Sequence, residues 1–207
     1  MLNRLLRVTW TKVMTPIAKI FLALGISPDI VTIVGTLGVC VGALGFYPRG
    51  MFLSGTLVIV AFIFSDNVDG IMARLSGRTG TWGAFLDSTL DRVGDAAIFG
   101  GLVLYYAGAG QLRLAGLPLA CLILGSVVSY AKARAEGLGM TANVGIAERA
   151  DRLLAVLLAT GLVGLGLPEV ILPVVLGLLA VASFITVLQR MLTVRRQALA
   201  ASDARPS

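Results

Sequence analysis

The sequence predicts an all-α integral membrane protein: six transmembrane helices preceded by an amphipathic helix lying on the membrane surface. Three observations carry this. Of the 207 residues, 57% are hydrophobic and only 14% charged, with a mean hydropathy of +0.92, whereas soluble domains carry about a quarter charged residues. Apolar runs of about 20 residues, the length that crosses a bilayer, recur along the chain. Lys and Arg are sharply segregated between alternate loops. Helices satisfy their own backbone in hydrocarbon, which open sheets and irregular loops do not.

Taken in order, residues 1–20 interleave Leu2, Leu5, Leu6, Val8, Trp10, Val13 and Met14 with Arg4, Arg7 and Lys12. That is the pattern of an interfacial helix, not of a span. The run is interrupted by charge and has no small-residue cleavage site after it, so no secretory signal is expected. Residues 21–207 form one membrane domain, with spans predicted over 30–47, 51–73, 84–107, 115–131, 153–167 and 170–192. Ser27-Pro28-Asp29 caps the first span. Pro48-Arg49-Gly50 and Pro168 mark tight loops on one side, and the glycine-bearing connections 76–83 and 137–145 fall on the other.

Orientation follows from the basic residues. With the N-terminus inside, all of the 17 Lys and Arg residues except Arg49 and Arg113 lie on the inner side. Both termini are then cytoplasmic and the protein sits in the cell membrane. The net charge of +6 reflects this orientation, anionic lipid and an anionic substrate, not nucleic acid. Cys40 and Cys121 lie in apolar stretches and read as small hydrophobes. The chain has no histidine, so acid–base or metal chemistry rests on carboxylates.

Five of the 11 acidic residues, Asp66, Asp69, Asp87, Asp91 and Asp95, fall within 30 positions, inside or at the ends of two apolar helices. A carboxylate in a span costs a few kcal/mol, so a group of them needs a compensating partner. Asp66 and Asp69 are three apart and Asp87 and Asp91 four apart, so each pair lines one helix face. Asp66 lies about 22 Å along the second span from its outer start. Asp87 and Asp91 lie about one and two turns into the third span from its inner start, so the pairs reach similar depth. Converging carboxylates repel unless protonated or neutralised, and oxygen ligands without sulfur or imidazole favour Mg²⁺, Mn²⁺ or Ca²⁺. Intramembrane salt bridges to Arg74 and Arg92 are the plainer alternative. A divalent-cation transporter built on the same acids is another, although transporter sites sit near the midplane, often with repeats, and no repeat is evident here. Asp95 is better read as a polar residue pairing with a buried donor than as a further ligand.

In full, the stretch reads Asp66-x2-Asp69-Gly70-x2-Ala73-Arg74-x8-Gly83-x3-Asp87-x3-Asp91. Gly70, Ala73 and Gly83 leave the helix faces beside the acids nearly bare, suiting either a bulky ligand or close helix packing. The stretch resembles the signature of the CDP-alcohol phosphotransferases at all eight fixed positions, and the resemblance extends over nearly the whole chain.

The resemblance implies two divalent cations, Mg²⁺ or Mn²⁺, held by Asp66, Asp69, Asp87 and Asp91 on the diphosphate of a CDP-linked donor. It further implies that Asp91 is the base that deprotonates the acceptor hydroxyl. Asp66, Asp69, Gly70, Ala73, Arg74 and Gly83 would bind the CDP portion. CDP-diacylglycerol is the expected donor and a homodimer the expected assembly. Ser129-Tyr130-Ala131-Lys132-Ala133-Arg134-Ala135-Glu136 and Glu148-Arg149-x2-Arg152 resemble the actinobacterial branch of the family that makes phosphatidylinositol phosphate. That branch implies inositol 1-phosphate as acceptor, with CMP released and Lys132, Arg152 and Arg190 or Arg195 at the acceptor phosphate. The same basic residues also serve positive-inside anchoring. Glycerol 3-phosphate, the acceptor of a phosphatidylglycerophosphate synthase, carries the same phosphate and is the alternative.

Overall fold

The computed structural model describes residues 14–77 and 80–203, with the side chains of residues 65–67, 202 and 203 outside the description. Within those residues the chain is helical and contains no strand. Helix α1 is described over Met14–Ala23, so most of the expected surface helix, residues 1–13, lies outside the described residues. The others are α2 (Pro28–Phe46), running into a 3₁₀ turn (Tyr47–Arg49), α3 (Phe52–Leu75), α4 (Thr81–Gly108), α5 (Leu112–Glu136), α6 (Arg149–Gly164) and α7 (Ile171–Asp203).

Local chemistry sets the boundaries. Ser27 is the N-cap of α2, its hydroxyl accepting from Ile30 N at 3.4 Å, with Pro28 in the first turn, where its missing N–H costs nothing. Gly50 closes the 3₁₀ turn at φ 73°, a conformation that favours glycine. Helix α6 starts on a capping box, Glu148 with Asp151, four residues before the expected span. The polar first turn Glu148-Arg149-Ala150-Asp151 hides this start from a hydropathy reading.

Six helices stand in the expected order. Four stretches, Pro28–Arg49, Phe52–Leu75, Leu112–Glu136 and Ile171–Ala201, are long and apolar enough to cross a membrane. The other two helices fall short for different reasons. Helix α4 has 28 residues but carries Asp87, Asp91, Arg92 and Asp95 within its first 15, and α6 has only 16 residues.

Helix α2 packs on α3 and α4, α3 also on α6, α6 on α7, α7 on α5, and α5 on α4. The spatial order is therefore a closed ring: α2, α3, α6, α7, α5, α4. Its core includes Val39, Ala43, Ile59, Phe99, Leu102, Val156 and Leu176. Glycines bring the backbones together. A Cβ on Gly42 would lie 2.9 Å from the Ile59 side chain, and one on Gly164 would lie 2.4 Å from Leu53 N. Near the 3₁₀ turn, the hydroxyls of Tyr47, Thr56 and Thr160 bond one another at 2.8–3.2 Å, joining three segments. Helix α1 covers the other end of α2 and α3 through Ala18, Phe21 and Leu22.

Helix α7 runs well past its expected end at 192, to Asp203, and from Thr186 onward it holds the 137–148 connection. Gln197 accepts from Thr141 N at 3.0 Å and donates to Thr141 O at 2.6 Å. Thr186 Oγ1 accepts from Ile146 N and Ala147 N at 3.2 and 3.1 Å, and Arg190 Nε donates to Val144 O at 2.9 Å.

Candidate active site

The end of the ring where α3 finishes and α4 begins contains a cavity of about 770 Å³. Helix α2 contributes Pro28, Asp29 and Thr32; α3 contributes Asp69, Gly70, Ala73 and Arg74; α4 and its N-cap contribute Gly80, Thr81, Gly83, Ala84 and Asp87. Two of the four motif aspartates and all of Gly70, Ala73, Arg74 and Gly83 thus face one space. A Cβ on Gly70 or on Gly83 would meet no atom within 4 Å. These two glycines therefore hold cavity open, unlike Gly42 and Gly164, which serve packing.

Asp69 is buried, and Thr32 Oγ1 donates to its Oδ2 at 2.5 Å, so α2 orients a carboxylate of α3. Asp87 is exposed in the cavity and within electrostatic reach of both Asp69 and Asp91. Sequence reasoning treated Asp29 as a helix-start residue and passed over Thr32. The structure puts both in the cavity wall, and Trp82 Nε1 donates to Asp29 Oδ2 at 3.1 Å. Their place at the N-terminus of the first span, the same end as the acidic motif, was the available signal.

The side chain of Asp66 lies outside the described residues. Among those described, no three potential ligands of the His, Cys, Asp and Glu types stand together at metal-binding separation. The donor set nonetheless suits a hard cation: the carboxylates are oxygen ligands only, Asp69 and Asp87 face one open cavity, and Asp69 has one oxygen free of its threonine.

Asp91 turns away from the large cavity into a small space lined by Thr36, Gly94, Arg149 and apolar residues. Its Oδ1 accepts from Arg149 NH1 at 2.8 Å, while Arg149 Nε binds Asp95 Oδ1 at 3.1 Å. Arg92 NH2 stands 3.8 Å from Asp91 Oδ2 and 3.6 Å from Asp95 Oδ2, and Arg92 NH1 donates to Ser129 Oγ. Asp95 is itself buried but pairs with two half-exposed arginines instead of the buried donor expected, and Arg92 is a partner of the acids. Arg74 instead lines the cavity.

Two further arginines reach the same stretch of α5. Arg152, 1% exposed, donates to Ala147 O at 2.9 Å and Gly125 O at 3.4 Å. Arg190, 3% exposed, donates to Val128 O at 2.6 Å. Three guanidinium groups, of Arg92, Arg152 and Arg190, therefore reach residues 125–129, Arg149 stands beside them on the aspartates, and among the described residues Asp91 and Asp95 are the acids in direct ion contact with the four. That excess of positive charge is suited to an anion. Lys132 is half-buried near the end of α5 and Arg195 is exposed on α7. Neither has a described ion pair.

The cavity, the acidic motif and the ring of helices define the class. A sequence model of the CDP-alcohol phosphatidyltransferases matches residues 25–149, and the chain belongs to this family. It is 53% identical to a phosphatidylinositol phosphate synthase of Streptomyces avermitilis, over 99% of this chain and 86% of that one. It is 50% identical to the enzyme of that name from Cutibacterium acnes, over 92% and 96%. The fold resembles the crystal structure of the Mycobacterium tuberculosis phosphatidylinositol phosphate synthase with CDP-DAG bound, with a TM-score of 0.84, 40% identity and coverage of 88% of this chain and 94% of that one. A second structure of that enzyme, in complex with manganese and citrate, matches at a TM-score of 0.84 and 42% identity over 87% and 88%.

Proposed function

We propose that the chain transfers the phosphatidyl group of CDP-diacylglycerol to inositol 1-phosphate, giving phosphatidylinositol phosphate and CMP. The carrying observation is the juxtaposition of two unlike sites: a glycine-lined acidic cavity and a cluster of four arginines, with Asp91 between them. The first suits a nucleoside diphosphate with divalent cations, the second a phosphorylated acceptor. The names of the relatives, and the CDP-DAG in one related structure, support the same pairing.

In this reading Asp66, Asp69, Asp87 and Asp91 hold Mg²⁺ or Mn²⁺, two ions together. When bound, the ions neutralise the donor diphosphate and polarise the phosphorus under attack. The chain's own residues do the rest. Thr32 fixes Asp69, Gly70 and Gly83 leave room for the CDP portion, and Arg74 faces its phosphates. Lys132, Arg152, Arg190 and Arg195 supply the positive surroundings of the acceptor phosphate. Asp91 takes the proton of the acceptor hydroxyl, whose oxygen attacks the lipid-side phosphorus. The bond to the CMP phosphate breaks, and its electron pair leaves with CMP.

Topology supports this chemistry. In this reading α4 and α6 also cross the membrane, giving six spans, and both termini and the cavity face the cytoplasm. The acyl chains of the donor then stay in the bilayer, and the protein acts as a homodimer. The test is CMP release and labelled lipid product from CDP-diacylglycerol in membranes, comparing inositol 1-phosphate, free inositol and glycerol 3-phosphate. Transfer to glycerol 3-phosphate alone would overturn the acceptor. No CMP release with any acceptor would overturn the reaction.

A further inference from the structure

The end of the ring away from the acidic cavity holds a second cavity, of about 320 Å³, at the small end of the range for ligand sites, about 300–1,000 Å³. Helix α6 stops at Gly164 after only 16 residues, and Val163, in its last turn, lines this space. Around it stand Phe52 at the start of α3, Tyr105 and Tyr106 near the end of α4, Gln111 just before α5, and Glu169 just before α7. Five helices thus begin or end at one cavity.

Its lining is unlike the core. The rings of Phe52 and Tyr105 lie 4.7 Å apart at 72°, and those of Tyr105 and Tyr106 5.2 Å apart at 66°, so they meet edge to face and do not stack. A buried tyrosine hydroxyl ordinarily finds a partner. Tyr106 is 4% exposed and lines the cavity, yet its hydroxyl bonds none of the described residues. Glu169 is the charged member of this lining and stands within electrostatic reach of both tyrosines. It has no ion pair among the described residues. Of the 11 acidic residues, it alone falls in the connections at this end of the ring, 47–51, 109–111 and 165–170.

These features fit a cation of a particular kind. One carboxylate falls far short of the roughly six or more oxygens that a calcium ion gathers. Aromatic rings attract an ammonium group, and the apolar walls receive its carbon substituent. Oxygens of Glu169, Tyr106 and Gln111 are acceptors for the N–H donors of a primary ammonium.

We propose that this cavity binds a primary organic ammonium, with Glu169 pairing its charge and Phe52, Tyr105 and Tyr106 forming an aromatic wall. An amine-bearing lipid headgroup and a free alkylamine share this chemistry. The site lies at the far end of the bundle from the phosphatidyl-transfer cavity. Its ligand joins five helix ends, so binding stabilises the fold in proportion to occupancy.

The experiment follows the unfolding temperature of the full chain in detergent micelles at neutral pH as ethanolamine is added, with ionic strength held constant by NaCl. Ethylene glycol, of similar size but uncharged, and choline, charged but without N–H donors, are the comparisons. Ethanolamine is expected to raise the temperature progressively, choline less, and ethylene glycol not at all. E169Q is expected to weaken the ethanolamine response by about tenfold, the worth of one charged hydrogen bond, and Y106F by less. In a second arm the protein is reconstituted in vesicles of phosphatidylethanolamine and phosphatidylglycerol, extracted, and weighed with its retained lipid by native mass spectrometry. Preferential retention of phosphatidylethanolamine by the wild type but not by E169Q assigns the site to a headgroup. A thermal shift without that retention assigns it to a soluble amine. An equal response to ethylene glycol, an equal response in E169Q, or neither shift nor retention overturns the inference. The first of these needs no variant to fold.

Discussion

Thr32 of α2 donates its hydroxyl hydrogen to Asp69 of α3 at 2.5 Å, so the carboxylate at the cavity wall is aimed by a neighbouring helix. Thr32→Val keeps the shape and removes the donor. Partners that orient a metal-binding carboxylate are worth about 10- to 100-fold in metal affinity or activity. CMP release is expected to fall by that factor, with more Mg²⁺ needed for half-maximal rate. Thr32→Ser, which keeps the hydroxyl, is expected to stay near the wild-type value.

The two kinds of glycine separate stability from activity. Gly70→Ala and Gly83→Ala place a methyl group in empty cavity. Replacing a helical glycine by alanine stabilises by about 0.5–1 kcal/mol, so thermal unfolding in detergent is expected at or above the wild-type temperature while kcat/KM for the donor falls. Gly164→Ala drives a methyl group against the backbone of Leu53 and is expected to cost about 1–3 kcal/mol of stability.

Chelating divalent cations is expected to stop CMP release, and adding Mg²⁺ or Mn²⁺ to restore it. Asp87→Asn, which removes a charge facing the cavity, is expected to shift the restoring concentration upward. Persistence of full activity in excess chelator would remove the metal from the proposed reaction.

Gln197 clamps Thr141 from the far end of α7. Gln197→Ala removes contacts worth about 1 kcal/mol, or roughly fivefold in an equilibrium. The KM for the acceptor is expected to rise by about that factor while the KM for CDP-diacylglycerol holds, because the connection it secures carries Val144 and leads into Arg149, away from the donor cavity.

Much of the bundle was legible because its helices are written in local signals: apolar runs, the Ser27 cap, the Gly50 turn. The acidic motif was legible for the same reason, since three- and four-residue spacings place side chains on one face without knowledge of the rest. The end of α7 was not, because its last turns are held by a distant connection and carry no apolar run. Nor was the pairing of Asp91 with Arg149, which depends on α4 and α6 facing each other across the closed ring. The sequence placed Asp91 with the other motif acids; the structure turns it one step aside, toward the arginines. Gly70 and Gly83 were ambiguous until packing showed nothing opposite them.

The ring also divides the work. Helices α2, α3 and the start of α4 line the acidic cavity, whereas Arg149, Arg152 and Arg190 come from α6 and α7. The family's shared sequence pattern, residues 25–149, ends almost where the second group begins. Substitutions in the last two helices can therefore alter Arg152 and Arg190 while leaving the lining of the acidic cavity untouched, because the two sets of side chains come from separate stretches of the chain.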